Sequence, residues 1–222
     1  MVRNVLITGG SRGIGKEITK IFNENGYKVY APTREELNLK DNDSVKEFIE
    51  KHKNIYFSVI INNAGINIVN DIENIDEDVL NETMNVNLIT PIKLIKGFIG
   101  KMKENNYGRI VNIGSIWAVI SKEGRSVYSA TKNGIHGVTN TVALEAGSYN
   151  VLVNTVCPGF TLTELTKQNN TQEQIDRLCE EIPVKRMAEP SEIAKFVYYL
   201  ASEENTYITG QKITIDGGFT VK

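Results

Sequence analysis

A tyrosine and a lysine four residues apart are the side chains in this sequence best suited to chemistry. Tyr128 and Lys132 lie in a stretch that predicts a helix over about 126–149, and residues four apart share one helical face. A nearby ammonium favours the phenolate, so we expect Lys132 to lower the pKa of Tyr128 from its ordinary value of about 10. The pair predicts a phenol that exchanges a proton with a substrate oxygen. The spacing alone also fits a surface tyrosine beside an exposed lysine.

Two further polar residues precede this pair. Ser115 follows a predicted strand at 109–113, and hydroxyls at the carboxyl ends of parallel strands lie where α/β sheets bind ligands; the simpler role is a turn residue. Asn87 comes four residues before Pro91, which has no N–H to give to the Asn87 main-chain carbonyl. We expect that carbonyl to bind a water that joins a proton path, with a plain proline kink as the alternative.

A glycine-rich turn stands near the beginning of the chain. It joins an apolar run at 2–7 to a stretch with helical periodicity, and its glycines are Gly9, Gly13 and Gly15. Glycines let the backbone approach a ligand, and a helix N-terminus presents unpaired N–H groups to an anion. The turn predicts a dinucleotide pyrophosphate site, or else an ordinary strand-to-helix loop.

The elements that must position these residues alternate between strands and helices. Predicted strands lie at 2–7, 27–31, 37–39, 57–62, 109–113, 151–157 and 211–215, and helices include 76–105, 126–149 and 190–201. A further helix starts near 43, with Ser44 and Glu47 as its capping box, and 163–182 reads as a mobile segment over the site. The pattern predicts a single α/β domain over 1–222, a Rossmann fold with a doubly wound parallel sheet of about seven strands and helices on both faces.

Composition excludes several classes of function. The net charge of the 222 residues is −2 and no long basic run occurs, so we expect no nucleic-acid partner. No apolar run reaches the roughly 18–20 residues that span a membrane, and the first strand leaves no room for a signal peptide. Cys157 and Cys179 have no close Cys or His partners, which predicts free thiols in the cytoplasm and no metal site.

Taken together, these motifs resemble the short-chain dehydrogenase/reductase family in its single-domain branch, over nearly the whole chain. Asn87, Ser115, Tyr128 and Lys132 match the family's catalytic tetrad position by position. The other matching segments are 8–15, 62–65, 158–163, 208–211 and 216–218. The resemblance implies that the cofactor contacts are Gly9, Ser11, Arg12, Gly13, Ile14, Gly15, Arg34, Asn38, Leu39, Asn63, Ala64, Gly65, Tyr128, Lys132, Pro158, Gly159, Thr161 and Thr163.

The resemblance implies an NAD(P)(H)-dependent exchange between a carbonyl and a secondary alcohol, without a metal. Tyr128 would exchange the hydroxyl proton, Ser115 would bind the reacting oxygen, and Lys132 would hold the nicotinamide ribose. A non-catalytic dinucleotide-binding regulator is the alternative, although such a sensor would be expected to have lost Tyr128 or Lys132. Sugar-nucleotide epimerases use related machinery but normally need a larger substrate domain.

Cofactor choice follows from charges beside the predicted adenosine site. Members of the family that prefer NAD usually carry an acid at the end of the second strand, but here no acid precedes Glu35. Arg12 and Arg34 instead place two cations near the predicted ribose, and guanidinium groups bind phosphate oxygens through paired hydrogen bonds. We therefore expect NADP(H) over NAD(H), unless both arginines are solvated or Glu35 and Glu36 offset Arg34.

The substrate and the assembly are predicted more coarsely. The chain resembles 3-oxoacyl-carrier-protein reductases, which dock an acidic carrier protein with arginines beside the site mouth, and the matching positions here are Asn106 and Tyr149. Because these are uncharged, we expect a free small-molecule carbonyl or alcohol, with partial compensation by the nearby Lys101, Lys103 and Arg109 as the alternative. The predicted substrate wall includes Trp117, Val119, Ile120 and 162–172. The family usually forms tetramers or dimers, so we expect a homotetramer or homodimer, with an apolar stripe over 90–103 as a candidate contact.

Overall fold

The computed structural model describes residues 3–222, except the side chains of Leu165 and Asn169; Val2, predicted to open the first strand, lies outside this range. The described part contains one parallel sheet in the order β2-β1-β3-β4-β5-β6. Its strands are β1 (Asn4–Ile7), β2 (Lys28–Tyr30), β3 (Phe57–Asn62), β4 (Gly108–Ile113), β5 (Val151–Pro158) and β6 (Lys212–Ile215). The order reverses between β1 and β3, which is where doubly wound sheets bind ligands.

Helices connect the strands and cover both faces of the sheet. They are α1 (Gly13–Glu24), α2 (Asn42–His52), α3 (Glu77–Met84), α4 (Thr90–Glu104), α5 (Ser126–Ala146), α6 (Glu164–Asn169), α7 (Gln172–Glu181) and α8 (Pro190–Ala201). The apolar faces of α1 and α8 enclose one core with the sheet, and α2, α4 and α5 enclose the other. Central strands such as β3 are therefore buried along their whole length, as their continuous apolar runs predict.

The sheet has six strands rather than about seven, because the strand predicted at 37–39 is a turn. The Leu37 N–H donates to the Thr33 carbonyl at 2.9 Å, and the Asn38 N–H donates to the Ser44 hydroxyl at 3.0 Å. Donors used in this way cannot pair with a neighbouring strand. Leu37 is apolar because it packs into the core beside α2.

Two other local predictions are corrected. Asp41, not Ser44, caps α2, and its side chain accepts hydrogen bonds from the backbone of Asp43 and Ser44. The segment at 163–182, where weak periodicity predicted no helix, contains α6 and α7, and its mobility stays a prediction. Thr171 and Gln174 make a capping box at the start of α7, and Ile175 anchors this helix in a third apolar cluster.

Candidate active site

The predicted site residues meet at the carboxyl edge of the sheet. The glycine turn follows β1, Asn63 to Gly65 follow β3, Ser115 follows β4, and Pro158 ends β5. Parallel strands bring these segments to one edge, although they are far apart in the sequence. This edge, at the reversal of strand order, is the expected ligand site of a doubly wound sheet.

Lys132 lies on the face of α5 that it shares with Tyr128. Its side chain is only 4% exposed, and its ammonium donates a hydrogen bond to the Ile113 carbonyl at 2.7 Å. The same nitrogen is 5.6 Å from the centre of the Tyr128 ring. Burial disfavours the charged amine and lowers the pKa of Lys132 to about 8.

The pKa of Tyr128 is raised, so the predicted lowering by Lys132 is wrong for this structure. Burial of the phenol is the largest cause, while a hydrogen bond with the Ser115 side chain and the positive charge of Arg125 act in the opposite direction. Lys132 directs its ammonium to a backbone carbonyl and is itself poorly hydrated. The cation that opposes the effect of burial on the phenol is therefore one that the sequence reasoning had not singled out.

Asn87 acts through its side chain in this structure. Its amide oxygen accepts a hydrogen bond from the Ile66 N–H at 2.9 Å, and its amide nitrogen donates to the Ile66 carbonyl at 2.8 Å. The same nitrogen lies 3.3 Å from the hydroxyl oxygen of Thr131 on α5. Asn87 therefore fastens the segment after β3 to the helix that carries Tyr128, a role that the proline argument missed.

The backbone around Asn87 forms a π-helical turn. This turn, Asn85–Ile89, joins α3 to α4, and Pro91 follows it as the second residue of α4. A wide turn accommodates a proline, which cannot donate to the carbonyl four residues earlier, and such turns are frequent at functional sites. The predicted water on the Asn87 carbonyl stays a prediction.

The glycine turn forms a cradle that side chains would fill. Gly9 and Gly13 have φ of 67° and 53°, in the left-handed region, and a Cβ on Gly15 would lie 2.1 Å from the Gly9 carbonyl oxygen. The first turn of α1 contains no acidic residue of its own to occupy its N–H groups. This geometry fits a dinucleotide pyrophosphate. A Cβ on Gly10 would lie 2.7 Å from the Thr19 hydroxyl, so Gly10 serves close packing, which the sequence reasoning did not identify.

Thr8 and Asn63 hold the cradle in place. The Thr8 hydroxyl accepts hydrogen bonds from the N–H groups of Asn63 and Ala64, both at 3.1 Å. The Asn63 amide donates to the carbonyls of Thr8 and Gly9, both at 3.0 Å. The Asn63 side chain therefore supports the turn from behind, and its predicted contact with the cofactor stays a prediction.

The segment after β5 faces the cradle from the opposite side. A Cβ on Gly13 would lie 3.3 Å from the Cγ2 atom of Thr163, which places the two segments close together. The Thr163 hydroxyl caps α6, and Gly159 donates its N–H to the Ile215 carbonyl at 2.8 Å. The predicted cofactor residues Pro158, Gly159, Thr161 and Thr163 therefore border the same cleft as the glycine turn.

Arg12 and Arg34 are both exposed near this cleft. Arg12 immediately precedes α1, and Arg34 lies in the turn after β2. Neither forms an ion pair with any residue in the described range. The Glu36 carboxylate, one of the two acids weighed as an offset to Arg34, accepts the Thr33 N–H at 2.8 Å. Asn38 and Leu39, predicted beside the adenine, lie half-buried after the same turn.

The predicted substrate wall is an apolar cluster on the far side of Tyr128. Trp117, Ile120 and Leu162 pack against the buried residues of this cluster, whereas Val119 lies outside it and is exposed. The Trp117 N–H donates to the Ser115 hydroxyl at 3.2 Å. A cavity of about 500 Å³, lined by residues 71–73 and 121–126, opens beside this wall.

Asn106 and Tyr149 do not lie at the site mouth of their own chain. They precede β4 and β5, at the amino edge of the sheet, whereas Tyr128 is at the carboxyl edge. Arg109, considered as a compensating charge, is only 2% exposed, and its guanidinium donates to the carbonyls of Gly108, Asn150 and Asn205. Any role of this edge in docking a carrier protein at an active site therefore depends on how chains assemble.

A glycine-rich cradle beside Ser115, Tyr128 and Lys132 at the carboxyl edge of a doubly wound sheet is the arrangement expected of a dinucleotide-dependent α/β oxidoreductase. A family model described as enoyl-(acyl carrier protein) reductase matches residues 35–220, which is most of the chain. The chain belongs to the short-chain dehydrogenase/reductase family.

Similar proteins agree with this membership. The 3-oxoacyl-[acyl-carrier-protein] reductase FabG of Vibrio cholerae is 33% identical over 96% of this chain and 95% of its own length. FabG of Buchnera aphidicola is 34% identical over 97% and 96%. A solved structure described as ElxO with NADP bound superposes with a TM-score of 0.92, at 30% identity and full coverage of both chains.

Two kinds of feature are absent from the described residues. No helix in residues 3–222 is long and apolar enough to cross a membrane. Within the same range, no group of three or more His, Cys, Asp or Glu side chains is arranged to hold a metal ion.

Proposed function

We propose that this chain is a single-domain, cytoplasmic, NADP(H)-dependent oxidoreductase that interconverts a carbonyl and a secondary alcohol on a free small molecule. The observation that carries the proposal is the meeting of Ser115, Tyr128 and Lys132 at the carboxyl edge of the sheet, beside a cradle for a dinucleotide. A regulator without turnover would have no need for a half-buried phenol and a buried amine at this edge.

The residues that would hold the dinucleotide surround the cleft. The backbone of the glycine turn and the N-terminus of α1 suit the pyrophosphate, and the segments after β3 and β5 would border the adenosine and nicotinamide parts. When bound there, the nicotinamide supplies or accepts the hydride. Lys132, which now donates to the Ile113 carbonyl, would also hold the ribose hydroxyls.

The chain's own side chains would move the proton. The Ser115 hydroxyl would donate a hydrogen bond to the carbonyl oxygen of the substrate and so orient it. Tyr128 would give its phenolic proton to that oxygen in reduction and take it back in oxidation. Burial raises the pKa of Tyr128, which keeps the phenol protonated and favours its role as the acid. Asn87 would position the segment after β3 against α5.

Support for NADP(H) comes from charge and from a similar protein. Arg12 and Arg34 have no carboxylate partner in the described range, so both guanidinium groups are available to a ribose phosphate. The similar structure of ElxO, at 30% identity over the full length of both chains, has NADP bound.

A second candidate is 3-oxoacyl-carrier-protein reduction, because the similar FabG proteins are named for that activity. In an assembly that brings this edge to the active site of a second chain, a carrier protein would meet the uncharged Asn106 and Tyr149 and the buried Arg109. Docking to an acidic protein depends on complementary charge, so these residues favour a free substrate instead. The two candidates separate in one assay, which compares acetoacetyl groups on carrier protein and on N-acetylcysteamine at low and high salt. A strong, salt-sensitive preference for the protein-borne group would restore the second candidate.

The proposal is tested by replacing the phenolic hydroxyl alone. We expect Tyr128→Phe to bind NADPH normally and to lose about 10²–10⁴-fold in kcat on a reducible ketone, because loss of a general acid has this cost. NADPH absorbance on a panel of carbonyl compounds measures the rate. Tyr149→Phe, at an exposed tyrosine on the opposite edge, is the control and should keep the wild-type rate. A fully active Tyr128→Phe would exclude this mechanism.

A further inference from the structure

Arg125 occupies an unusual position beside the candidate active site. It lies three residues before Tyr128 and immediately precedes α5. The central carbon of its guanidinium is 5.3 Å from the centre of the Trp117 ring. Its Nε and Nη1 atoms are shielded from solvent, and neither has a hydrogen-bond partner among the described residues. Buried donors are normally satisfied, because leaving one unpaired costs about 1–3 kcal/mol.

No acidic side chain in the described range neutralises this guanidinium. Asp71, Glu73 and Glu123 line the same cavity as Arg125, yet none forms an ion pair with it. The buried Arg109 also has one unpartnered nitrogen, Nε, but its two Nη atoms donate to three carbonyl groups of the chain. No such bond from the Arg125 guanidinium occurs among the described residues. The charge of Arg125 is therefore left for a group that is not part of the chain.

The Arg125 guanidinium also lies close to the side chains proposed to react, Ser115 and Tyr128. The guanidinium lies over the Trp117 ring. The backbone N–H of Trp117 donates a hydrogen bond to the Ser115 hydroxyl. The positive charge of Arg125 is near enough to Tyr128 to oppose the effect of burial on the phenol. The N-terminus of α5 adds to the positive field here, because its first turn contains no acidic residue and no side chain caps it.

We propose that Arg125 recognises a carboxylate on the substrate, so that the substrate is a small oxo acid or the corresponding hydroxy acid. This inference rests on the proposed function, which it makes more specific. A guanidinium binds a carboxylate through two parallel charge-assisted hydrogen bonds, and the indole face of Trp117 would hold the guanidinium plane in place. Asp71, Glu73 and Glu123 around the cavity disfavour multiply charged anions, so one carboxylate suits the site better than a phosphate-bearing substrate.

The first test uses the only tryptophan in the sequence, Trp117, as its reporter. The full chain, with NADP⁺ bound and without it, is titrated with acetoacetate and levulinate and with their methyl esters, while tryptophan emission is recorded. We expect a saturable change with the acids, little change with the esters, and no change in Arg125→Gln. Lys96→Gln is the control, since Lys96 is exposed on α4 and does not line the cavity, and it should respond as the wild type does.

The second test is kinetic and uses the same acid and ester pairs with NADPH. We expect Arg125→Gln to lower kcat/KM for the acids about 10–100-fold more than for the esters, as loss of a charge-assisted hydrogen bond predicts. Arg125→Lys should recover part of the preference for acids, and it replaces Arg125→Gln if circular dichroism shows that the latter is unfolded. Lys96→Gln, which removes an exposed ammonium away from the cavity, should leave the ratio unchanged.

The outcomes separate this inference from the function on which it rests. Carboxylate recognition would be overturned if Arg125→Gln lost the same factor in kcat/KM on the acids and on the esters. It would also be overturned if the acids left the tryptophan emission of the wild type unchanged. Either result would count even if the protein reduces ketones. An Arg125-dependent emission response without any turnover would uphold the carboxylate site and overturn the oxidoreductase proposal.

Discussion

Lys132 has an ammonium group whose charge depends on burial, and this makes the stability of the dinucleotide-free protein depend on pH. Its pKa is lowered to about 8, whereas a lysine in an unfolded chain has a pKa of about 10.4. Between these values the unfolded chain binds more protons than the folded one, so stability rises with pH. We expect the free energy of unfolding of the wild type, relative to Lys132→Met, to rise by about 3 kcal/mol from pH 8 to above pH 10.

Urea denaturation at several pH values measures this difference. Below pH 8 the lysine is charged in both states, so the difference should be flat there. Lys96→Met is the matched control, because Lys96 is exposed on α4, and its difference from the wild type should not change with pH. A constant difference for Lys132→Met over the whole range would show that burial does not perturb this amine.

The prediction that the protein prefers NADP(H) over NAD(H) depends on Arg12 and Arg34. Each charge-assisted hydrogen bond to a phosphate is worth roughly 1.5–3 kcal/mol. We therefore expect the double variant Arg12→Ala, Arg34→Ala to lower the ratio of kcat/KM for NADPH over NADH by tens- to hundreds-fold. Lys16→Ala removes a nearby cation whose ammonium is 3.9 Å from Glu164, and it should leave the ratio unchanged. If the double variant keeps the wild-type ratio, the two arginines do not select the cofactor.

At the scale of single residues, the sequence predicted positions better than interactions. Helical spacing is local, so it placed Tyr128 and Lys132 on one face of α5 correctly. The direction of the Tyr128 pKa shift depends on burial and on Arg125, and neither can be read from spacing. For the same reason the main-chain argument found Asn87 but not the bonds that its side chain makes to Ile66, 21 residues away in the sequence.

At the scale of elements, the glycine turn gives the sharpest prediction. A Cβ on Gly15 would lie 2.1 Å from the Gly9 carbonyl oxygen, so Gly15→Ala must displace the cradle. We expect this variant to lose measurable NADP⁺ binding by calorimetry and about 1–3 kcal/mol of stability, as overpacked sites do. Gly137→Ala is the control, because a Cβ there meets nothing within 4 Å, and alanine should stabilise α5 by up to about 1 kcal/mol. Normal NADP⁺ binding by Gly15→Ala would mean that the turn is not the pyrophosphate site.

The elements that could be predicted are those with long periodic patterns. The near-continuous apolar run of β3 and the extent of α5 were found because burial on known faces dictates their composition. The three residues at 37–39 are too few to show a period, and the Ser44 hydroxyl decides their conformation. The capping box of α7, at Thr171 and Gln174, was a readable signal that weak periodicity obscured.

At the scale of the whole molecule, the apolar stripe predicted for contacts between chains has another role. Ile95 and Met102 on α4 are buried in the core, and Ile99 packs against it. This side of α4 therefore covers the sheet and is not available to a second chain. On α5, by contrast, the apolar side chain of Leu144 is 87% exposed and is not covered by the core. This makes α5 the better candidate for the contact surface.

We expect the chain to form a homo-oligomer through the outer face of α5. Covering Leu144 with a second copy would remove its apolar side chain from water, and isologous C2 contacts are the commonest symmetric arrangement of identical chains. Light scattering at working concentration should give twice or four times the 24.8 kDa mass of the chain. Leu144→Glu should shift the mass towards the monomer, because it places two like charges in the contact. Ile72→Glu, at an exposed apolar residue on the carboxyl edge, should keep the wild-type mass. A monomeric wild type would exclude the oligomer, and an oligomer that Leu144→Glu leaves intact would move the contact away from α5.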